Sequence, residues 1–233
     1  MSQCLLLFDI DGTLLATAGA GMRAMASAGQ DLFGSHFSLE GLDTAGKLDP
    51  VIFNELADLH GIHDADLYRE SFRDAYLVYL QQELDRTKDR VRLMPGVHYT
   101  LSELRRRNQA SHDIHIGLLS GNYRAAVPIK FASVGIDPAW FEISALGEDA
   151  PTRPDLARFA MLLYEDRWGR NLDPKRVIII GDTPRDVACA QAHGCVSFAV
   201  ATGRYSSEDL KVAGADIVVK DMDDSSVLFD LID

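Results

Sequence analysis

Short runs of apolar residues recur along the chain, and polar or glycine-containing turns follow them. These runs, rich in Val, Ile and Leu, lie at positions 5–8, 114–119, 177–180, 196–200 and 217–219. Their length and composition predict strands that are buried on both faces. Segments with helical spacing separate most of them, at 97–107, 154–168 and 185–193. Strands that alternate with helices are typical of βαβ units, so the pattern predicts an α/β fold with a doubly wound parallel sheet.

One long stretch, residues 15–92, has no strand pattern. Helical patterns occupy 21–33, 49–60 and 64–84, and Asp49 and Pro50 fit the N-cap and first residue of the second helix. A crossover between two strands needs far fewer residues than this. We therefore expect a core formed by 1–14 and 93–233 and an inserted α-helical cap domain formed by 15–92.

Composition narrows the range of partners. Hydrophobic residues make up 47% and charged residues 25%, which is typical of a globular protein. The 35 acidic and 23 basic residues give a net charge of −12, which argues against nucleic acid or an anionic membrane as a partner. The three cysteines form no CxxC pair, and the amino terminus does not resemble a signal peptide. We expect reduced thiols and a soluble, cytoplasmic protein.

The residues that follow the apolar runs carry the candidate chemistry. The first run leads into Asp9-Ile10-Asp11-Gly12-Thr13, the second into Ser120-Gly121-Asn122, and the third into Gly181-Asp182-Thr183-Pro184-Arg185-Asp186. In an open parallel sheet, ligands bind beyond the carboxyl ends of the strands. These three segments are therefore expected to meet at one edge of the sheet.

Four carboxylates gathered at that edge, from Asp9, Asp11, Asp182 and Asp186, would repel one another. A hard divalent cation relieves the repulsion, and carboxylates with water are the ligands that Mg²⁺ prefers. Of two acids placed two residues apart at a strand end, one can attack while the other handles protons.

The second segment adds an anion pocket to this edge. The Ser120 hydroxyl and the backbone N–H groups of Gly121 and Asn122 are expected to hold an anionic oxygen at a helix N-terminus. Metal, anion pocket and carboxylate nucleophile together predict phosphoryl transfer through an aspartyl-phosphate.

The three segments resemble motifs one, two and four of the haloacid dehalogenase superfamily. The resemblance covers essentially the whole chain, since the helical insert is similar to that superfamily's C1-type cap, and it extends to the phosphoglycolate-phosphatase-like subgroup. It implies a Rossmann-like core. Dehalogenase members lack an aspartate at the position of Asp11, whereas phosphatases have one. The resemblance therefore implies a Mg²⁺-dependent phosphatase acting on a small phosphorylated metabolite.

The resemblance also implies a role for each acid. Asp9 corresponds to the nucleophile and to a Mg²⁺ ligand. Asp11 corresponds to the general acid and base, with its backbone carbonyl on the metal. Asp182 corresponds to a second carboxylate on the metal, and Asp186 to a partner that orients a metal-bound water. Ser120 would bind a phosphoryl oxygen.

Motif three departs from the superfamily pattern. The usual lysine before a proline and a helix is replaced by Arg153, which precedes Pro154. Arginine can neutralise the negative charge of an acylphosphate and bind two of its oxygens at once, although it is not interchangeable with lysine. Lys130 and Lys175 are rival candidates. Arg153 is preferred because of its context, and Lys175 lies at the wrong end of its strand.

Several of these residues also have plainer interpretations. Asp186 and Ser120 are suited to cap helices. Lys47 lies in a glycine-bearing loop of the insert. In capped relatives such a loop contacts the leaving group and selects it. A solvated surface lysine is an equal alternative.

Three other functions stay open at this point. A phosphomutase would use the same nucleophile and return the phosphoryl group to its substrate. A non-catalytic module would hold phospho-aspartate as a signal, but the helical insert and Asp11 do not fit it. A 2-haloacid dehalogenase is disfavoured by Asp11.

Overall fold

The computed structural model describes residues 3–233, and an α/β core carries a helical segment inserted after its first strand. The strands are β1 (Cys4–Phe8), β2 (Leu15–Ala16), β3 (Arg92–Leu93), β4 (Ile114–Leu119), β5 (Ile143–Ala145), β6 (Val177–Gly181), β7 (Val196–Val200) and β8 (Ile217–Val219). The α-helices are α1 (Ala20–Phe33), α2 (Asp49–Leu59), α3 (Arg69–Arg86), α4 (Val97–Ser111), α5 (Ala126–Ala132), α6 (Arg153–Trp168), α7 (Pro184–His193), α8 (Ser207–Val212) and α9 (Ser226–Ile232).

Six strands form one parallel sheet in the order β5-β4-β1-β6-β7-β8. The expected doubly wound α/β fold is confirmed. Strand β1 lies between β4 and β6, and Phe8 pairs with Leu118 on one side and Ile180 on the other. The chain builds outwards from β1 in both directions, so the crevice for a ligand lies at the carboxyl ends of these three strands.

Alternation along β1 supplies a core on each face of the sheet. Leu6 and Phe8 pack with residues of α4, α5 and α9 on one face, and Leu5 and Leu7 pack with residues of α6 and α7 on the other. All five residues of β1 are buried, as expected of a central strand in a parallel sheet.

The inserted segment has an apolar cluster of its own. Phe53 of α2 stacks on Phe72 of α3, with ring centroids 4.4 Å apart, and both side chains are buried. Tyr123 and Ala126, which follow β4, join the same cluster. The insert therefore packs on the segment after β4, beside the carboxyl end of the sheet.

The sequence pattern does not predict three short strands. β5 has three residues, and β2 and β3 have two each and pair antiparallel with one another. The expectation of no strand between 15 and 92 is wrong at those two ends, because two residues carry no periodic signal. Among the residues described, no helix has the length and apolarity that crossing a membrane requires.

Candidate active site

The ends of β4, β1 and β6 bring the predicted segments together. Asp9 follows β1, and its N–H donates to the carbonyl of Ile180 at 2.9 Å. Asp182 directly follows β6, and Ser120 directly follows β4. Because the three strands are neighbours in register, these side chains share one edge of the sheet.

Asp9 is enclosed, with an exposed fraction of 5%. Burial raises the pKa of its carboxyl to about 6, because a charge loses its hydration there; Arg153 opposes the rise and Asp186 adds to it. The guanidinium Nη2 of Arg153 lies 3.2 Å from Asp9 Oδ2. A single cation thus offsets part of the cost of a buried carboxylate.

Arg153 stands at the first position of α6, where Thr152 caps the helix and Pro154 follows. Its Nη2 and Nε donate to Oδ1 of Asp186 at 2.5 and 3.1 Å, and its Nη1 donates to the carbonyl of Gly46 at 3.1 Å. The two carboxylates keep the pKa of Arg153 above its usual value although burial opposes this. Arg153 therefore joins two carboxylates of the core to a loop of the insert.

Neither rival lysine takes the place beside Asp9 that Arg153 occupies. Lys175 is exposed just before β6, at the opposite end of that strand from Asp182. Lys130 of α5 is buried and bonded to Asp11 rather than to Asp9.

A triad of buried carboxyls forms the most acidic part of the edge. One oxygen from each of Asp9, Asp182 and Asp186 lies within 4.8 Å of the other two. The pKa of Asp182 is raised to about 8, first by burial and then by the charges of Asp9 and Asp186. Its carboxyl also accepts a 3.2 Å hydrogen bond from Thr13 Oγ1.

Glycines leave the space that Asp182 occupies. A Cβ on Gly203 would lie 1.7 Å from Asp182 Oδ2, and a Cβ on Gly12 would lie 2.5 Å from the same atom. Any side chain at either position would displace the carboxyl, so both glycines are required for this arrangement.

The donor set suits a hard divalent cation. Three carboxyls share the space with a single arginine, and the pKa values of Asp9 and Asp182 are raised first by burial and then by the neighbouring carboxylates. Oxygen ligands with remaining water are what Mg²⁺ prefers. The residues present therefore fit a magnesium ion.

Asp186 combines two contacts in one carboxyl. Oδ2 accepts from the N–H and the hydroxyl of Thr183, which completes a capping box at the start of α7, and Oδ1 accepts from Arg153. Both carboxyl oxygens are therefore bonded within the protein. The helix-capping interpretation of Asp186 is thus present in the structure, together with a contact to Arg153.

The buried hydroxyl of Ser120 meets the geometry of a hydrogen bond with no described residue, although it lies close enough to Asp9 to lower the pKa of that carboxyl. The N–H groups of Gly121 and Asn122 likewise donate to no described residue. A buried hydroxyl without a partner costs about 1–3 kcal/mol, so its presence suggests that a ligand supplies the missing bond. The expected helix N-terminus is displaced, since a bend at 121–122 and a turn at 124–125 come first and α5 begins only at Ala126. Ser120 is therefore not its N-cap.

Asp11 extends into the cavity from the loop after β1. Its Oδ2 accepts from Asn122 Nδ2 at 2.9 Å and from Lys130 Nζ at 2.5 Å, and 41% of the side chain is exposed. The side chain of Asn122 thus contacts Asp11, a contact that sequence reasoning missed.

The insert loop before α2 closes the cavity. A Cβ on Gly121 would lie 2.0 Å from the carbonyl oxygen of Lys47, so the two backbones are in close contact. The N–H of Asp49 donates to the carbonyl of Gly121 at 2.7 Å. Lys47 Nζ contacts both oxygens of Glu55 at 2.5 and 2.7 Å. Lys47 lines the cavity, but its charge is compensated by Glu55 of α2.

The cavity has a volume of about 420 Å³. Beyond the carboxyls it is lined by side chains of the insert, among them Met22, Met25, Asp49, Ile52 and Tyr76. Asp49 is buried and accepts from the N–H of Tyr123 at 2.8 Å; burial raises the pKa of its carboxyl to about 7, against the opposing charge of Lys130. Sequence reasoning gave Asp49 only as a helix cap, and the structure shows Leu48 in that place.

A family comparison agrees with this geometry. The family model for haloacid dehalogenase-like hydrolases matches residues 6–200. The chain belongs to this family. The expected superfamily is confirmed, and the family is one of enzymes.

Individual relatives span nearly the full chain. A phosphoglycolate phosphatase of Yersinia pestis is 26% identical over 91% of this chain and 87% of its own length. Among solved structures, a hydrolase from Pseudomonas syringae has a TM-score of 0.69 at 20% identity, covering 99% of both chains. A β-phosphoglucomutase from Clostridium difficile has a TM-score of 0.70 at 18% identity, covering 100% of this chain and 97% of its own. These two structures share the fold.

Proposed function

We propose that this protein is a Mg²⁺-dependent phosphatase that hydrolyses a small phosphomonoester through an aspartyl-phosphate on Asp9. The observation that carries the proposal is the arrangement of Asp9, Asp11, Arg153 and the buried Ser120 hydroxyl around one cavity. Nucleophile, proton carrier and anion-binding groups all line one cavity. The phosphoglycolate phosphatases among the relatives support the reaction class and make 2-phosphoglycolate a substrate to test.

The first half-reaction transfers the phosphoryl group to the protein. A carboxylate oxygen of Asp9 attacks phosphorus, the ester P–O bond breaks, and the leaving alcohol takes a proton from Asp11. The Ser120 hydroxyl and the N–H groups of Gly121 and Asn122 donate to the phosphoryl oxygens. Such donors, fixed before the reaction, stabilise charge as it develops.

The second half-reaction releases phosphate. Water loses a proton to Asp11 and attacks phosphorus, the acyl P–O bond to Asp9 breaks, and inorganic phosphate leaves with Asp9 restored as a carboxylate. Arg153, beside Asp9, compensates the negative charge in both steps.

Magnesium would be held by Asp9, the backbone carbonyl of Asp11 and Asp182, with Asp186 orienting a bound water. When bound, the ion would supply charge compensation for the phosphoryl oxygens and would favour the ionised form of Asp9. The insert, residues 15–92, would act as a cap that excludes water and selects the leaving group, with Lys47 among its contacts.

The test is phosphate release from a panel of phosphomonoesters that includes 2-phosphoglycolate, in Mg²⁺ and in EDTA. We expect metal-dependent release by the wild type and a loss of at least 1,000-fold in Asp9→Asn, since covalent catalysis ends without the nucleophile. Asp230→Asn, an exposed aspartate on α9, is the matched control and should keep wild-type activity.

Two results would contradict the proposal. Near wild-type turnover by Asp9→Asn would exclude the aspartyl-phosphate. Isomerised sugar phosphate without free phosphate would show a phosphomutase instead, a reaction for which the same nucleophile would serve.

A further inference from the structure

A buried lysine lies beside the residue proposed to move protons. Lys130 of α5 has an exposed fraction of 3%, and its Nζ lies 2.5 Å from both Asp11 Oδ2 and Asn122 Oδ1. An ammonium group loses much of its hydration at such a site and is retained only where partners compensate it. The mechanism above gives Lys130 no task.

The three side chains form a closed triangle. Asn122 accepts from Lys130 through Oδ1 and donates to Asp11 through Nδ2 at 2.9 Å, while Lys130 donates to both of the others. The amide of Asn122 has one chemically sensible orientation, because the opposite one would set its oxygen against the carboxylate. Each member of the triangle is thus held by two bonds.

The two carboxyl oxygens of Asp11 differ in their hydrogen-bond partners. Both donors bind Oδ2, whereas no described side chain or backbone group donates to Oδ1. The side chain of Asp11 is 41% exposed and lines the cavity, in contrast to the enclosed Lys130. Oδ1 is therefore the oxygen left for exchange of a proton with a bound substrate.

We propose that Lys130 is a positioning residue which, with Asn122, fixes the carboxyl of Asp11 so that Oδ1 meets the oxygen of the leaving group. The inference rests on the proposed function and adds to it a residue that acts through Asp11 alone. Correct placement of a general acid contributes a large part of its 10²–10⁴-fold effect, and this part depends on fractions of an ångström.

The test uses the dependence of the reaction on the leaving group. An alkyl phosphate leaves as a strongly basic alkoxide and needs a proton from Asp11, whereas 4-nitrophenyl phosphate leaves as a weakly basic phenolate and does not. The ratio kcat/KM reports only the steps up to phosphoryl transfer to Asp9, so later hydrolysis does not enter. For Lys130→Met we expect kcat/KM to fall at least 10-fold with the best alkyl ester and less than 3-fold with the aryl ester.

A double-mutant cycle separates positioning from structural support. If Lys130 acts through Asp11, then Lys130→Met added to Asp11→Asn causes no further loss with the alkyl ester. An equal fall for both esters, or a further loss in the Asp11→Asn background, would overturn the inference. Lys175→Met, an exposed lysine, is the control and should match the wild type.

Two safeguards keep the outcome decisive. Thermal melting shows whether Lys130→Met folds; should it not, Lys130→Gln, which keeps a polar head but no charge, is measured against the same expectations. Absence of metal-dependent hydrolysis of either ester by the wild type would refute the proposed function. Hydrolysis of both esters with an equal loss in the variant would refute only the role of Lys130.

Discussion

At the scale of single residues, the site is a set of carboxyls held in places that favour the neutral form. Asp9, Asp49 and Asp182 are buried, and the pKa of each is raised, to about 6, 7 and 8 respectively. Burial is the first cause in each case. A fold keeps such groups when the function needs their charge, and a bound cation restores that charge.

The raised pKa of Asp182 makes the stability of the metal-free protein depend on pH. In the folded state it holds its proton up to about pH 8, whereas in the unfolded chain it loses it near pH 4. The folded state therefore binds more protons over this range, so stability falls as pH rises from about 4 to 8. Asp182→Asn removes this loss: in EDTA we expect a Tm about equal to the wild type near pH 4.5 and several degrees higher at pH 8.

Asp216 offers a control of opposite sign. Although burial opposes ionisation, the backbone and hydroxyl of Ser197 lower the pKa of Asp216. Asp216→Asn should therefore lose stability relative to the wild type as pH rises. The measurement is the Tm of each variant by calorimetry at pH 4.5 and pH 8. A metal-free Asp182→Asn variant that melts below the wild type at pH 8 would contradict the predicted effect of Asp182 on stability.

Residues that follow strands were predictable, and residues that meet across the insert were not. Asp9, Ser120 and Asp182 come directly after apolar runs, and the geometry of a parallel sheet places them together. The contact between Lys130 and Asp11 joins positions 119 residues apart. It was not predictable, because helical spacing does not show which face of α5 lines the cavity. The position of Asp49 in the cavity was not predicted, because its local pattern fits a helix start equally well.

At the scale of elements, the loop before α2 seats against the turn after β4. The fit requires glycine, since a Cβ on Gly121 would lie 2.0 Å from the carbonyl oxygen of Lys47. This close approach brings the Gly46 carbonyl to Arg153. The long buried strands were foreseen from their composition, whereas this contact between loops depends on backbone positions that no residue pattern encodes.

Gly121→Ala tests the fit of the two loops. The added methyl group should push the insert loop away and lower kcat/KM at least 10-fold, because closure positions substrate and excludes water. Circular dichroism should show the same helix content as the wild type. In Gly135→Ala a Cβ meets no atom within 4 Å, but the φ of +74° strains any side chain, so this variant controls for a glycine-to-alanine change that costs stability away from the cavity. Wild-type activity in Gly121→Ala would mean that the loops do not need this contact.

At the scale of the whole molecule, charge sets the order of binding. The chain carries a net charge of −12, and the cavity holds Asp9, Asp11, Asp49 and Asp182. Its cations, Lys47, Lys130, Arg153 and Arg204, are each already paired with a carboxylate. A phosphate dianion thus finds no unpaired cation among the described residues that line the cavity until a metal ion has bound.

This balance predicts that Mg²⁺ precedes phosphate. Titration calorimetry with inorganic phosphate should give binding at least 10-fold tighter in Mg²⁺ than in EDTA at matched ionic strength, since a divalent cation adds positive charge to a cavity whose own cations are already paired. The gain should disappear in Asp182→Asn. Equal affinity with and without the metal would show that Arg153 and Lys130 suffice to draw in the anion.

The small antiparallel pair formed by β2 and β3 has a consequence for how such a protein can change. Leu15 pairs with Leu93 and Ala16 with Arg92, so the chain leaves the core and re-enters it at two adjacent, hydrogen-bonded points. Viewed from the sheet, everything between them is one long loop whose ends are already joined. Its length enters the closure entropy only logarithmically. The length of the insert can therefore change at little entropic cost while Asp9 and Asp182 stay where β1 and β6 place them, and under the proposed function the choice of substrate could evolve separately from the reaction itself.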